Sequence, residues 1–135
     1  MTRTEQLPPI VVSTLDRDRL ESIVDTYRGE RDDALVERLA SELSRAEVVE
    51  SGRLPPNVVR MHSRVRVRDL DSDQLRSFEL VYPQEADVRA GRVSVIAPAG
   101  CAVLGLVAGQ RIAWPLPGGR SWRIEVVSVD PAGEG

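Results

Sequence analysis

Three groups of residues in this chain have the types and spacing to do something chemical. The first is acidic. Asp25, Glu30, Asp32 and Asp33 gather around the turn between two amphipathic segments. Carboxylates at the tip of a helical hairpin can help hold a divalent metal and a water, the chemistry of phosphodiester cleavage. Asp32 and Asp33 also suit a plainer use. Either can cap a helix, accepting from orphan N–H groups and complementing the dipole, and capping accounts for both fully. The second group is basic. Arg60, Arg64, Arg66 and Arg68 recur with period two, which puts them on one face of a strand. They could meet an acidic protein surface or phosphates. A solvated sheet face explains them too, with Asp69, Asp71 and Asp73 nearby as partners. No aromatic residue interleaves with them, which argues against stacking on single-stranded nucleic acid. The third group is Ala97-Pro98-Ala99-Gly100. A small, proline-stiffened turn at a helix start presents a docking surface at low entropic cost. Pro98 also serves as the first residue of a short buried helix.

Several chemistries are excluded by what the chain lacks. His62 is its one histidine and Cys101 its one cysteine, so the pair cannot build a zinc site. Ser63 and Ser94 have no second orienting pattern for a nucleophilic triad. Cys101 lies beside Ala102, Val103 and Leu104 and reads as a small core residue. All 18 basic residues are Arg, which removes Schiff-base chemistry and a P-loop lysine. No cofactor is called for. The formal net charge is −3, against the basic excess usual in a nucleic-acid binder. Its distribution is uneven: residues 1–52 hold 12 acids and 7 Arg (−5), residues 53–135 hold 9 acids and 11 Arg (+2). A single cysteine fits a reducing compartment. The first residues lack an apolar signal core. The most apolar stretch, Val93 to Gly109, is broken by Pro98, Gly100 and Gly105 and falls short of the ~20 residues that span a bilayer. A cytoplasmic protein without a membrane segment is expected.

The elements that must position these residues follow from periodicity. Ile10-Val11-Val12 is an extended lead-in, and Ser13 to Asp16 offer N-caps. Leu20, Ile23, Val24 and Tyr27 lie at i, i+3, i+4, i+7, the stripe of a helix over about Arg17 to Tyr27. Gly29 lies in the expected turn. A second helix is expected from Asp32 or Asp33 to about Val49, with Val36, Leu39, Leu43 and Ala46 as the seam of an antiparallel hairpin. At roughly 18 residues it reaches about 27 Å. Pro55-Pro56 and Gly52 end the helical part. The period then changes to two. Strands are expected at Ser63 to Arg68, Arg76 to Tyr82, Arg92 to Ala97, Gln110 to Trp114 and Trp122 to Val129, with a short helix from Pro98 to Leu106. The second strand should run antiparallel to the first. Trp114 and Trp122 should face each other across a glycine-tipped hairpin. The class is α+β: a short helical hairpin (coiled coil) over residues 1–52, a linker over 53–57, an antiparallel sheet domain with one short helix over 58–130, and a tail over 131–135.

The order of motifs in the second part resembles a known family. Asp87 and Gly91 precede a strand; Ala97-Pro98-Ala99-Gly100-Cys101-Ala102-Val103-Leu104-Gly105 follows; then come Gly109-Gln110 and Pro117-Gly118-Gly119. The transcript-cleavage factors of the Gre type carry an Asp and Gly, then Ser-Pro-x-Gly-x-Ala-Leu-Leu-Gly, then Gly-Asp, then a Pro-x-Gly hairpin. The likeness covers roughly residues 58–129. It departs at Ala97, usually Ser, and at Gln110, usually Asp. Within that superfamily the chain resembles the short-armed regulators of nucleoside diphosphate kinase. The residues that carry this are Ile10-Val11-Val12 before Leu15-Asp16, the tract Val58 to Val65, and Leu80-Val81-Tyr82-Pro83. The resemblance implies an FKBP-like sheet domain that docks at the secondary-channel rim of bacterial RNA polymerase. It implies that Ala97, Pro98, Ala99 and Gly100 meet the coiled coil of the largest polymerase subunit. It also implies an arm too short to work inside, so a non-catalytic regulator competing with Gre-type factors and reading no nucleic-acid sequence directly. A monomer is expected, though the stripe on the second helix could also seek a partner chain. The alternative is a true cleavage cofactor using the tip carboxylates. Prolyl isomerisation is a third reading, disfavoured because its pocket needs clustered aromatics and the chain has 2 Trp, 2 Tyr and 1 Phe.

Overall fold

The computed structural model describes residues 10–30, 34–115 and 117–130. The lead-in is a strand, β1 (Val11–Ser13), and it feeds directly into α1 (Thr14–Glu30). Ser13 Oγ accepts from the Asp16 backbone N–H at 3.1 Å, the cap that its hydroxyl favours. Leu20 and Val24 are buried, with Ile23 and Tyr27 packed beside them, as the i, i+3, i+4, i+7 spacing requires. The helix runs on through Gly29, past the end expected at Tyr27. One tether on that last turn is the Arg28 guanidinium, which donates to both Glu37 oxygens on the facing helix at 2.7 and 2.8 Å.

The second helix, α2 (Ala34–Arg45), buries Val36, Leu39 and Leu43. It stops well before Val49. Its expected last turn is instead a strand, β2 (Glu47–Val49), parallel to β1 in the register Val11↔Glu47, Val12↔Val48, Ser13↔Val49. Two adjacent β-branched residues favour extension. Pairing with β1 supplies the hydrogen bonds, with Glu47 N–H donating to Ile10 C=O at 2.8 Å.

The sheet holds five strands in the order β5-β4-β3-β7-β6: β3 (Arg64–Asp69), β4 (Leu75–Val81), β5 (Arg92–Ser94), β6 (Arg111–Pro115) and β7 (Ser121–Asp130). β3 pairs antiparallel with β4 and β7, and β6 with β7. Trp114 and Trp122 are direct partners, as expected. β5 is the departure: it runs parallel to β4, because residues 82–91 carry the chain back through two 3-10 turns before it rejoins the sheet. Alternation gives one face Val65, Val67, Phe78, Leu80, Ile112, Ile124 and Val126, all buried, and leaves the other to Arg64, Arg66, Ser77 and Ser128.

The buried face is covered by α3 (Pro98–Val103) and by the helical hairpin. Leu20, Val36 and Leu39 belong to the same hydrophobic cluster as Val65, Leu80 and Ile124. Polar contacts reinforce the seam. Val11 N–H donates to Gly105 C=O at 3.2 Å, and Gly105 N–H to Val59 C=O at 2.9 Å. The buried Asp16 carboxylate accepts from Met61 N–H at 3.2 Å. The Arg38 guanidinium sits 5.1 Å from the centre of the Trp114 ring.

Gly105 makes the seam possible. Its φ is +78°, and a Cβ there would collide with Ile10 Cβ and lie 3.1 Å from Val11 N. We predict that Gly105→Ala destabilises the protein by about 2–4 kcal/mol, through backbone strain and lost seam packing together. Urea unfolding measures this. A loss under about 0.5 kcal/mol, the range of an ordinary surface change, would mean the seam is not tight.

Candidate functional site

The Ala97 to Gly100 turn is built on the end of β5. Ser94 organises it: its hydroxyl accepts from Ile96 N–H at 3.1 Å and its carbonyl from Ala97 N–H at 2.9 Å. Ala97 C=O then accepts from Cys101 N–H at 2.9 Å, opening α3. Gly100 is buried on this seat, and a Cβ there would collide with the Ser94 carbonyl oxygen. Ala97 and Ala99 are half-buried, and Pro98 is exposed at the first helical position. The four residues thus form one short turn with a fixed backbone and a proline ring outward. Such a turn can offer shape; it has no group to carry a reaction.

The loop before β5 is also fixed. Asp87 Oδ1 accepts from Ala90 N–H at 3.4 Å, and Gly91 closes the 3-10 turn with a φ of 75°. Val88, within it, is 88% exposed. Glu85 accepts from Tyr82 N–H at 3.2 Å and sits 2.9 Å from His62 Nε2. The His62 hydrogen bond is the main reason the Glu85 carboxyl lies below its usual range. His62, expected simply at the surface, has a side chain one-third exposed and a backbone in the left-handed region, φ 71°. Its ring meets Tyr82 edge-on at 5.7 Å between centres. The Tyr82 hydroxyl is buried beside Arg19, and burial pushes its pKa up. Nothing in the sequence singled out this pairing, because the two residues meet only through the sheet.

Of the four acidic residues expected at the tip, Asp25 and Glu30 fall among the described residues. Asp25 is exposed along the side of α1, on a groove shared with Glu21, Arg28 and Ser44. Glu30 is the last residue of α1. That separates their backbones by about 7.5 Å along the axis. Asp32 and Asp33 lie outside the described residues. Among the described residues no group of three His, Cys, Asp or Glu is placed to hold a metal. Nor is any described helix long and apolar enough to cross a membrane.

The basic residues divide. Arg60 is in the turn before β3, while Arg64, Arg66 and Arg68 share the outer face of that strand. Asp73 pairs with Arg68 at 3.0 Å, and Asp71 with Arg123 at 2.7 Å. Asp69 builds the turn instead, accepting from Ser72 and Asp71 N–H and from Trp122 Nε1. The backbone bonds from Ser72 and Asp71 hold its carboxyl below the usual range.

Sequence comparison decides the family. Residues 54–131 match the model of "Transcription elongation factor, GreA/GreB, C-term", and residues 8–49 match "Rnk N-terminus". The chain belongs to the GreA/GreB family. Over 125 residues it is 35% identical to the regulator of nucleoside diphosphate kinase of Escherichia coli K12, covering 91% of this chain and 90% of that one. It is 32% identical to the elongation factor GreA of Thermodesulfovibrio yellowstonii over 70% of this chain and 59% of that one. Among solved structures, the elongation factor GreA/GreB from Nitrosomonas europaea superposes with a TM-score of 0.73. It is 40% identical, and the match covers 92% of this chain and 99% of that one. The recognition made from the 87–119 motifs and the Ile10 lead-in holds, as does the α+β class with a helical hairpin ahead of the sheet. The chain is therefore related to transcription factors of bacteria.

The Glu85 pairing yields a pH dependence. A carboxyl whose folded pKa is depressed contributes stability above its unfolded value, about 4.5, and loses it as pH falls through the folded value. The wild type should therefore lose stability below about pH 4.5, and Glu85→Gln should flatten that part of the profile. Thermal unfolding across pH 3 to 7, an interval of about four units, reads this. Parallel profiles for the two proteins would mean Glu85 is uncoupled from folding.

Proposed function

We propose that this protein is a non-catalytic transcription regulator. It binds core RNA polymerase at the secondary-channel rim through Ala97, Pro98, Ala99 and Gly100, and competes there with Gre-type factors. The observation that carries the reading is Pro98. It is the exposed first residue of α3, on a turn whose backbone is fixed by Ser94 and buried at Gly100, and it matches the proline of the Ser-Pro-x-Gly pattern that the sequence resembles. A rigid turn costs little entropy to dock. The coiled coil of the largest polymerase subunit is the partner surface.

The hairpin supports the non-catalytic side of the reading. α2 has 12 residues, about 18 Å at 1.5 Å each. Leu20, Val24, Leu39 and Leu43 are committed to the core shared with the sheet. A cleavage factor must deliver carboxylates to a metal deep in its partner. A hairpin this short and this firmly seated has little reach. Asp25, along the side of α1, is set back from the outer end.

Pro98→Asp places a charge at the apex of the turn without touching its seat. It should weaken binding to purified core polymerase at least about tenfold, or about 1.4 kcal/mol, while thermal unfolding stays unchanged. Equal affinity would remove the docking assignment. In stalled elongation complexes the wild type should leave nascent RNA at full length. Shortening that Asp25→Asn or Glu30→Gln abolishes would favour the cleavage reading instead.

A further inference from the structure

The outer face of the five-stranded sheet takes no part in the proposed docking, and it is chemically specific. On this face four arginines each have a carboxylate partner. Arg92 lies 3.6 Å from Glu79, Arg68 3.0 Å from Asp73, Arg111 3.5 Å from Glu125, and Arg123 2.7 Å from Asp71. Two arginines differ. Arg64 and Arg66, both exposed on the central strand β3, form no ion pair among the described residues.

The register places hydroxyls beside them. Arg66 is directly opposite Ser77 of β4 on one side and Ser128 of β7 on the other. Both serines are exposed, and neither side chain has a hydrogen-bond partner among the described residues. The four side chains surround a depression of about 290 Å³, with Val65 at its floor and Asp130 on its rim. In the register Arg64 lies between Glu79 of β4 and Asp130 of β7 and makes no ion pair with either; Glu79 is engaged by Arg92, so the depression itself holds two guanidinium groups and the one carboxylate of Asp130.

From this arrangement we infer that the centre of the outer sheet face binds the phosphodiester backbone of nucleic acid, through Arg64 and Arg66 with Ser77 and Ser128. The set consists of donors: guanidinium groups and serine hydroxyls, which are the side chains that contact phosphate oxygens. Arg64 and Arg66 are two residues apart on one strand, about 6.6 Å, so two neighbouring phosphates can be met at once. A strand paired on both sides holds them there at little cost in order. An acidic protein is the other class of polyanion. It fits less well, because protein interfaces place aromatic and apolar residues at their buried centre. This centre has only charges and hydroxyls; the exposed Leu75 is at the end of β4. With no aromatic on the face, bases are not stacked and sequence is not read. The overall charge of −3 then requires binding to come from this local cluster alone.

The test is fluorescence anisotropy of the full chain with a short, labelled, mixed-sequence DNA duplex between about 50 and 200 mM salt. The wild type should bind in a salt-dependent way. Arg64→Gln with Arg66→Gln should lower affinity at the low-salt end about tenfold or more, and reduce the log–log salt slope by about 2. Arg111→Gln with Arg123→Gln removes the same charge from already paired positions of the same face and should change affinity by less than about twofold. Both pairs are exposed, and unchanged thermal unfolding confirms that each variant is folded. Pro98→Asp should retain duplex binding, which separates this site from polymerase docking. The inference is overturned if the wild type does not bind, if both double variants lose affinity equally, or if polyglutamate of equal charge displaces the duplex as well as unlabelled duplex does.

Discussion

The close crossing of Ile10 over Gly105 is the contact on which the rest of the arrangement hangs. Because residue 105 has no Cβ and a positive φ, the lead-in strand can lie against the exit of α3 and hydrogen-bond to it. With the lead-in held there, β2 finds a partner and α2 ends at Arg45. Ser13 caps α1, and the Asp16 carboxylate reaches Met61 N–H. Each of these bonds is worth about 0.5–1.5 kcal/mol on its own, and the one to the Asp16 carboxylate about 1.5–3 kcal/mol. Together with the apolar cluster beneath, they make hairpin and sheet one packed unit.

The same short helix serves two ends. Pro98 starts α3 and Gly105 follows just past its finish, so one six-residue element carries both the turn proposed for docking and the footing of the hairpin. Gly100 presses that helix onto Ser94, which leaves it little freedom to tilt. A partner holding Pro98 would thereby also fix the direction of α1 and α2. If the sheet domain docks as proposed, it aims the hairpin, which in this chain is short.

Much of this was legible from residue order. The apolar stripe of α1, the seam Val36-Leu39-Leu43, the alternation of β3 and the Trp114–Trp122 pair all follow from local periodicity, which one sequence reports well. What was not legible depended on distant partners. Ala46 to Val49 continues a helical pattern, and only the presence of β1 opposite makes it a strand. β5 reads as another antiparallel strand until the path of residues 82–91 is known. His62 and Glu85 meet across 23 positions of sequence. The basic stripe was visible as a pattern, but which arginines take a carboxylate depends on neighbours on other strands, as where Glu79 pairs with Arg92 rather than with Arg64 opposite it. Of the tip acids, Asp25 and Glu30 both lie on α1, about 7.5 Å apart along its axis.

The account rests most heavily on a shared site at the polymerase rim. Its most direct test is binding of this protein to purified core RNA polymerase with a Gre-type factor added as competitor. The account predicts saturable binding that the competitor displaces fully, with the apparent affinity falling in proportion to competitor occupancy. Binding that persists unchanged at saturating competitor, or no binding at micromolar concentration, about −8 kcal/mol, would contradict it.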